Sequence, residues 1–318
     1  MTEIQSPPYS VQVEPVEGCP LRCPFCGING IRGNERDYKY MTLDTAATIA
    51  AQIACFKWTS RIEFAMHGEP TLHPDLVKII EIFRSHLPDN YFLLTTNGYG
   101  LRPKTKQKIM ELLDAGIDCL AIDRYEGVTW SAAIMKRLGN TPYLKYPEDS
   151  AGNPHTRSKK KRIVFLAPIN ITSEGTHGKK IFGNHCGAGA ELDFSAKEKR
   201  CARPFRELSF RWDGNVALCC NDWRGLYRIG NIHDMPLEDL WQHPHFRAAR
   251  RKLYHKQRDF GPCNGCNHLS FRVGFLPDKQ GKETLPLPNT NDKKIIRKAL
   301  SGEPMAKPVW REWERINA

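Results

Sequence analysis

No run of eighteen apolar residues occurs in this 318-residue chain, so no membrane span is indicated. Its first residues, Met1-Thr-Glu-Ile-Gln-Ser-Pro-Pro8, have neither the basic nor the apolar region of a signal peptide. A cytoplasmic location is therefore the expectation. No internal repeat is present. The hydrophobic content of 40% and mean hydropathy of −0.52 fit a globular protein with one large core or two smaller ones. Eleven cysteines without an export signal favour metal ligation over a disulfide framework.

The net charge of +12 is unevenly placed. Residues 1–150 hold 16 Lys+Arg against 18 Asp+Glu, and residues 151–318 hold 31 against 17. Such asymmetry suggests an acidic partner for the second half, nucleic acid being the obvious one; a generically basic surface is the alternative.

Strand-like and helix-like patterns alternate through the first half, the signature of a parallel α/β architecture. Strands are expected over 9–16, 61–66, 91–96, 117–122 and 162–169. Helices are expected over 46–58, 73–87, 103–115 and 128–138. Thr42 is a plausible N-cap for the first helix, and Leu76, Ile79, Ile80 and Phe83 give the second its periodicity. Residues 140–161 read as a polar Pro/Gly loop, 186–275 as a cysteine-rich segment, and 276–291 as a Pro-rich linker before two short basic helices at 292–300 and 309–316.

Just after the first strand stands Cys19-Pro-Leu-Arg-Cys23-Pro-Phe25-Cys26. Three thiolates can hold three irons of a cubane, and no nearby cysteine supplies a fourth, which leaves one iron open to bind a small molecule. A zinc site or unrelated core thiols are the bland alternatives. The C-x3-C-x2-C spacing, with aromatic Phe25 before the last cysteine, resembles the radical S-adenosylmethionine (SAM) superfamily. That resemblance implies a [4Fe–4S] cluster on Cys19, Cys23 and Cys26 with SAM at the open iron. It also implies a partial (β/α) TIM-like barrel carrying its chemistry at the C-terminal strand ends.

Further motifs fall at those ends. His67-Gly68-Glu69-Pro70 follows the second strand and is similar to the family's Gly-Gly-Glu-Pro, which binds the SAM amino group; His67 replaces the first glycine. Gly302-Glu303-Pro304 follows no strand and reads as a decoy. Asn97, after the third strand, is the expected ribose contact by resemblance and an Asn-Gly turn by bland reading. Asp123 ends the fourth strand as a weaker candidate for SAM or substrate contact.

A second cysteine set runs Cys201, twelve residues, Gly214, four residues, Cys219, then Cys263-Asn-Gly-Cys266. With Trp212-Asp-Gly-Asn-Val216 and Cys219-Cys-Asn-Asp-Trp223 around it, it resembles the auxiliary-cluster domain called SPASM in its one-cluster "twitch" form. Arg272 stands where a two-cluster domain has a further cysteine. The resemblance implies one auxiliary [4Fe–4S] cluster on Cys201, Cys219, Cys263 and Cys266; tetrahedral zinc on the same four is the alternative. Cys220 is ambiguous with Cys219, and Cys186 is open between ligand, substrate-facing thiol and structural residue. Cys55 and Cys119 read as core residues.

The resulting expectation is three regions: 1–185 a radical SAM core, 186–275 a SPASM/twitch-like domain, and 276–318 a basic tail. The implied reaction is reductive cleavage of SAM and hydrogen abstraction by the 5′-deoxyadenosyl radical, an oxidoreductase or isomerase chemistry served by a reductant such as flavodoxin or ferredoxin. The basic half points to a nucleobase, or a group attached to one, in DNA or RNA. Lys159–Arg162, Lys179-Lys180, Arg247–Lys252 and Lys293–Lys298 would contact phosphates. Trp241, Phe246, Tyr254 and Phe260 would stack bases, core packing being the stronger reading for the first two. Dehydrogenation or epimerisation of a sugar, aminocyclitol or peptide residue is the second reading; the first strand arrives too early for a peptide-clasping domain before it. A non-catalytic metal-binding nucleic-acid protein is the third.

Overall fold

A computed structural model of the chain describes residues 7–23, 26–31, 37–123, 128–146, 160–166, 185–188, 201–267 and 301. The strands are β1 (Ser10–Val13), β2 (Val16–Glu17), β3 (Lys39–Tyr40), β4 (Arg61–Phe64), β5 (Phe92–Thr96), β6 (Cys119–Ile122), β7 (Leu144–Tyr146), β8 (Arg162–Phe165), β9 (Glu207–Phe210), β10 (Asn215–Ala217) and β11 (Arg228–Asn231). The helices are α1 (Leu43–Cys55), α2 (Leu76–His86), α3 (Thr105–Ala115), α4 (Val128–Leu138), α5 (Arg203–Arg206), α6 (Leu237–Trp241) and α7 (Pro244–Tyr254).

One sheet runs β11-β10-β9-β1-β4-β5-β6-β8-β7. From β9 to β7 every pairing is parallel, while β10 and β11 add on antiparallel. This is the expected α/β partial barrel. The cysteine-rich segment continues its sheet, because β9 pairs with β1 in register Ser10↔Glu207 to Val13↔Phe210.

Alternation along the strands divides two environments. Ile62 and Phe64 of β4 join the core packed against the helices. Arg61 and Glu63 take the other face, where Gln12 Nε2 lies 2.8 Å from Glu63. On α1, Ala46, Ile49, Ala50 and Ile53 form the buried stripe, and Thr42 Oγ1 accepts the Thr45 N–H as N-cap. On α2 the buried residues are Leu76, Ile79, Ile80 and Phe83, the four expected.

Three expectations need correction. Cys55 is exposed rather than in the core; two residues past Ile53 it has turned about 200° around the helix. Cys119 is buried as expected. The 140–161 stretch is not all loop, since β7 pairs with β8 there. Pro103 precedes α3 rather than starting it. The tail helices at 292–300 and 309–316 lie outside the described residues, Ser301 excepted.

The expected nucleic-acid face also differs. Trp241, Phe246, Tyr254 and Phe260 are all buried, so none offers a ring for a base. Arg250 is a core residue: its Nε and Nη1 donate to the Pro204 and Trp241 carbonyls at 2.7 Å. Its guanidinium lies over the Trp241 and Phe246 rings at 4.0 and 4.2 Å. Lys252 pairs with Asp259, and Arg162 donates to Tyr91 Oη, both from buried positions. The physical cause is α7 itself, whose apolar residues at Phe246, Ala248, Ala249 and Leu253 bury it on most sides. Lys159, Lys179, Lys180 and Lys293–Lys298 lie outside the described residues.

Candidate active site

Four strand ends converge on one cavity. Cys19, Cys23 and Cys26 from the loop after β2, Gly68 and Glu69 after β4, Asn97 after β5 and Asp123 after β6 all line it. The loop is shaped by the Cys26 N–H donating to the Cys23 carbonyl at 3.0 Å and by Asn29 Nδ2 donating to the same carbonyl at 2.8 Å. Phe25 lies outside the described residues.

Gly68 explains how two motifs far apart in sequence meet. It bridges Gly18 in parallel, and the Glu69 N–H donates to the Gly18 carbonyl at 2.9 Å. A Cβ on Gly68 would stand 2.1 Å from the Val16 oxygen. The cysteine loop is thus stitched by backbone to the segment carrying Glu69. Pro70 opens the 3-10 turn Pro70–Leu72 that follows.

Glu69 lines the cavity and is held by four donors. It accepts from the Thr71 N–H at 3.0 Å, the hydroxyls of Thr71 and Thr96, and the Asn97 N–H at 2.7 Å. Burial pushes its carboxyl up, and these donors oppose the rise. Asn97 reaches further, with Nδ2 3.2 Å from Cys19 Sγ. Burial, then the charges of Glu69 and Cys26, push the Cys19 thiol up to about 12, against bonds from Leu21 and Asn97. Relief of such a thiol comes from a cation, since metal replaces the proton.

The second cysteine set assembles beside the first. Cys201, Cys219, Cys263 and Cys266 are all buried, and they stand close enough that burial and mutual charge push Cys201 up to about 12 and raise Cys263 well above the usual thiol range. Among the described residues no three Cys, His, Asp or Glu side chains converge to hold a single metal ion. A cubane instead takes each thiolate on a different iron. The donor sets fit: three thiols at an open cavity, four buried thiols at an enclosed site.

Residues of unremarked type join the two sites. His67 is completely buried. Its Nδ1 lies 2.8 Å from Glu14 Oε1 and its Nε2 3.1 Å from the Cys220 carbonyl. Its ring rests 4.7 Å from that of Trp223. Burial pushes the Glu14 carboxyl up, but His67, Arg211 and the Trp212 N–H outweigh it and hold the group below the usual carboxylate range. Arg211 continues the network to Glu17. Asp222 accepts the Leu226 and Tyr227 N–H groups at 2.9 and 3.0 Å, fixing the turn that carries Trp223. His67 drew notice as a departure from glycine; nothing in its sequence setting announced this bridge.

Residues 13–124 match the model of the Radical SAM superfamily, and residues 201–267 match the SPASM iron–sulfur cluster-binding domain. The chain carries a radical SAM domain. It carries a C-terminal SPASM-type domain, and SAM and [4Fe–4S] clusters are its cofactors. It is similar to the S-adenosyl-L-methionine-dependent 2-deoxy-scyllo-inosamine dehydrogenase of Niallia circulans, 23% identical over 265 residues that make up 83% of this chain and 94% of that protein. It is also similar to the GTP 3',8-cyclase of Tolumonas auensis, 23% identical over 279 residues, 82% of this chain and 74% of that one. The crystal structure of BtrN in complex with AdoMet and 2-DOIA shares the fold, with a TM-score of 0.62, 22% identity, and coverage of 82% of this chain and 94% of that one. No helix among the described residues is long and apolar enough to cross a membrane.

Proposed function

We propose that this radical SAM enzyme oxidises a secondary alcohol of a small polar molecule, a sugar or aminocyclitol, to a ketone. The observation that carries the reading is the direct link between the SAM-motif segment and the second thiol set, through His67 and the Cys220 carbonyl. When bound, SAM and its cluster would supply hydrogen-atom abstraction chemistry, and an auxiliary cluster on the second thiol set would supply a one-electron acceptor. The 2-deoxy-scyllo-inosamine dehydrogenase named above supports this class, and the names of both relatives carry small molecules, 2-deoxy-scyllo-inosamine and GTP. A reductant of flavodoxin or ferredoxin type completes the electron supply.

The chain's own residues have distinct tasks in this reading. Cys19, Cys23 and Cys26 would hold the SAM cluster; Cys201, Cys219, Cys263 and Cys266 would hold the auxiliary one. Glu69, its donors already fixed, would receive the SAM amino group without reorganising. Asn97 would orient the nucleoside side while holding Cys19. Asp123, which lines the cavity, would accept the hydroxyl proton. Trp223 and Ile28 help keep water from the radical. We take 1–185 as the core, 186–275 as the auxiliary domain and 276–318 as the tail, in a cytoplasmic enzyme.

The nucleobase reading has lost its four candidate stacking rings and Arg250, which are buried. The test is a panel of sugars, aminocyclitols, a short peptide and DNA and RNA oligonucleotides, scored by 5′-deoxyadenosine release and product mass. A small polyol that raises release at least about tenfold and returns two mass units lighter supports the proposal. Stimulation by oligonucleotide alone would overturn it.

A further inference from the structure

Cys186 has no place in the four-ligand set, yet the 3-10 turn that carries it packs against the turn Cys263–Gly265 that ends at Cys266, and the nearby Cys219 and Cys266 thiols, with burial, push its own thiol up. It occupies the 3-10 turn His185–Gly187 with φ 53° and ψ 37°, a left-handed conformation that costs a non-glycine residue. The turn is held on two sides. Arg224 Nη2 donates to the Gly187 carbonyl at 3.2 Å. Ala188 is buried in a small cluster with Trp223 and Ile28, and Ile28 sits two residues past Cys26. The thiol is therefore delivered to the second cysteine site by a segment packed against the loop of the first.

Five thiols thus surround a site where a cubane takes four. They are not equivalent in anchorage. Cys219 follows β10, which is paired on both sides by β9 and β11. Cys201 leads into α5, and Cys263 is buried at the start of its turn. Cys266 directly follows the turn Cys263–Gly265, which packs against the turn His185–Gly187 that carries Cys186.

On the reading that the second set holds the auxiliary cluster, we infer that Cys186 is an alternate ligand that exchanges with Cys266 at one iron. The exchange balances without redox chemistry. The Cys186 thiol releases its proton as its sulfur binds iron; the departing Cys266 sulfur takes up a proton; no electron moves. Its effect is to tie ligation of the auxiliary cluster to the position of the loop that follows Cys26.

The test uses the full chain with Cys19→Ala, Cys23→Ala and Cys26→Ala, so that the only iron counted is auxiliary. After anaerobic reconstitution, iron, sulfide and the reduced-cluster EPR spectrum are measured. The parent should hold about four irons per chain. Cys266→Ala and Cys186→Ala should each keep at least about three-quarters of that iron, with Cys266→Ala shifting the EPR signal. Cys186→Ala/Cys266→Ala together should lose at least about threefold. A single variant that loses as much as the double, or a double that retains the iron, would overturn the exchange. No iron in the parent would instead overturn the auxiliary-cluster reading beneath it. Serine replacements at both positions, close to cysteine in volume, give the same comparison if alanine prevents folding.

Discussion

Glu14 and His67 are both completely buried, and each is the other's counter-group. Replacing His67 by the glycine that the SAM-binding motif would supply therefore leaves Glu14 with Arg211 at 3.9 Å and the backbone N–H groups of residue 67 and Trp212, and without the imidazole. An uncompensated buried charge costs about 3 kcal/mol, so His67→Gly should lower the unfolding free energy by roughly that amount in anaerobic denaturant titration. An unchanged midpoint would show the bridge to be incidental. Gly68 makes the opposite demand. Its Cβ position is filled by backbone of Val16 and Gly18, which cannot yield as a side-chain tip would. Gly68→Ala should weaken SAM binding at least about tenfold by calorimetry, by pushing Glu69 away from the cysteine loop. Of these residues the sequence named Gly68 and Glu69 but not the partners. Thr71 and Thr96, the hydroxyls on Glu69, are ordinary threonines until β4 and β5 stand side by side. Cys186 was visible only as a leftover thiol, because its neighbours Cys219 and Cys266 lie 33 and 80 residues away.

At the scale of elements, α7 carries an unusual cap. His243 Nδ1 accepts the His245 N–H at 3.2 Å, which requires that nitrogen to be free of hydrogen. Burial first, then the charges of His245 and Arg247, depress the ring to about 4 from 6.5. The unfolded chain takes up this proton below about pH 6.5, while the folded chain resists until about 4. This contribution to stability is thus whole above pH 6.5 and lost progressively as pH falls to 4, by up to about 3 kcal/mol. His243→Asn keeps an acceptor without the titration. The difference in Tm between the two proteins should shift in the variant's favour between pH 7 and pH 5; a pH-independent difference would contradict the cap. Legibility at this scale followed burial. The helices α1 and α2 announced themselves because one face alone is apolar. β7 did not: three residues, Leu144-Lys-Tyr146, on the edge of the sheet and within a polar stretch, are too short to show a period.

For the molecule as a whole, charge was the least informative signal. The second half is strongly basic, yet Arg250, Arg162 and Lys252 spend their charge inside the protein. Sequence-level charge counts cannot separate a guanidinium that caps carbonyls from one that meets phosphate. Arg250→Met removes the donors to Pro204 and Trp241 that tie α7 to α5 and α6. It should cost about 2 kcal/mol or more of stability and leave salt-dependent DNA retention unchanged; weaker retention without a stability change would reverse the assignment. What the chain did declare openly is the cysteine spacing, because ligand geometry constrains sequence directly where it falls within one loop. The two cysteine sites lie on one continuous sheet, joined through β9 and β1 and bridged by His67, and this unity could only be seen in the fold.

The central claim is that the cavity at these strand ends binds SAM and a cluster for reductive cleavage. Anaerobic reconstitution followed by dithionite and SAM tests it most directly, with iron quantified and Cys26→Ala in parallel. The account predicts about eight irons per chain, four for each cubane, with 5′-deoxyadenosine and methionine formed by the native protein and none by the variant. Bound iron without cleavage, or cleavage that survives Cys26→Ala, would contradict it.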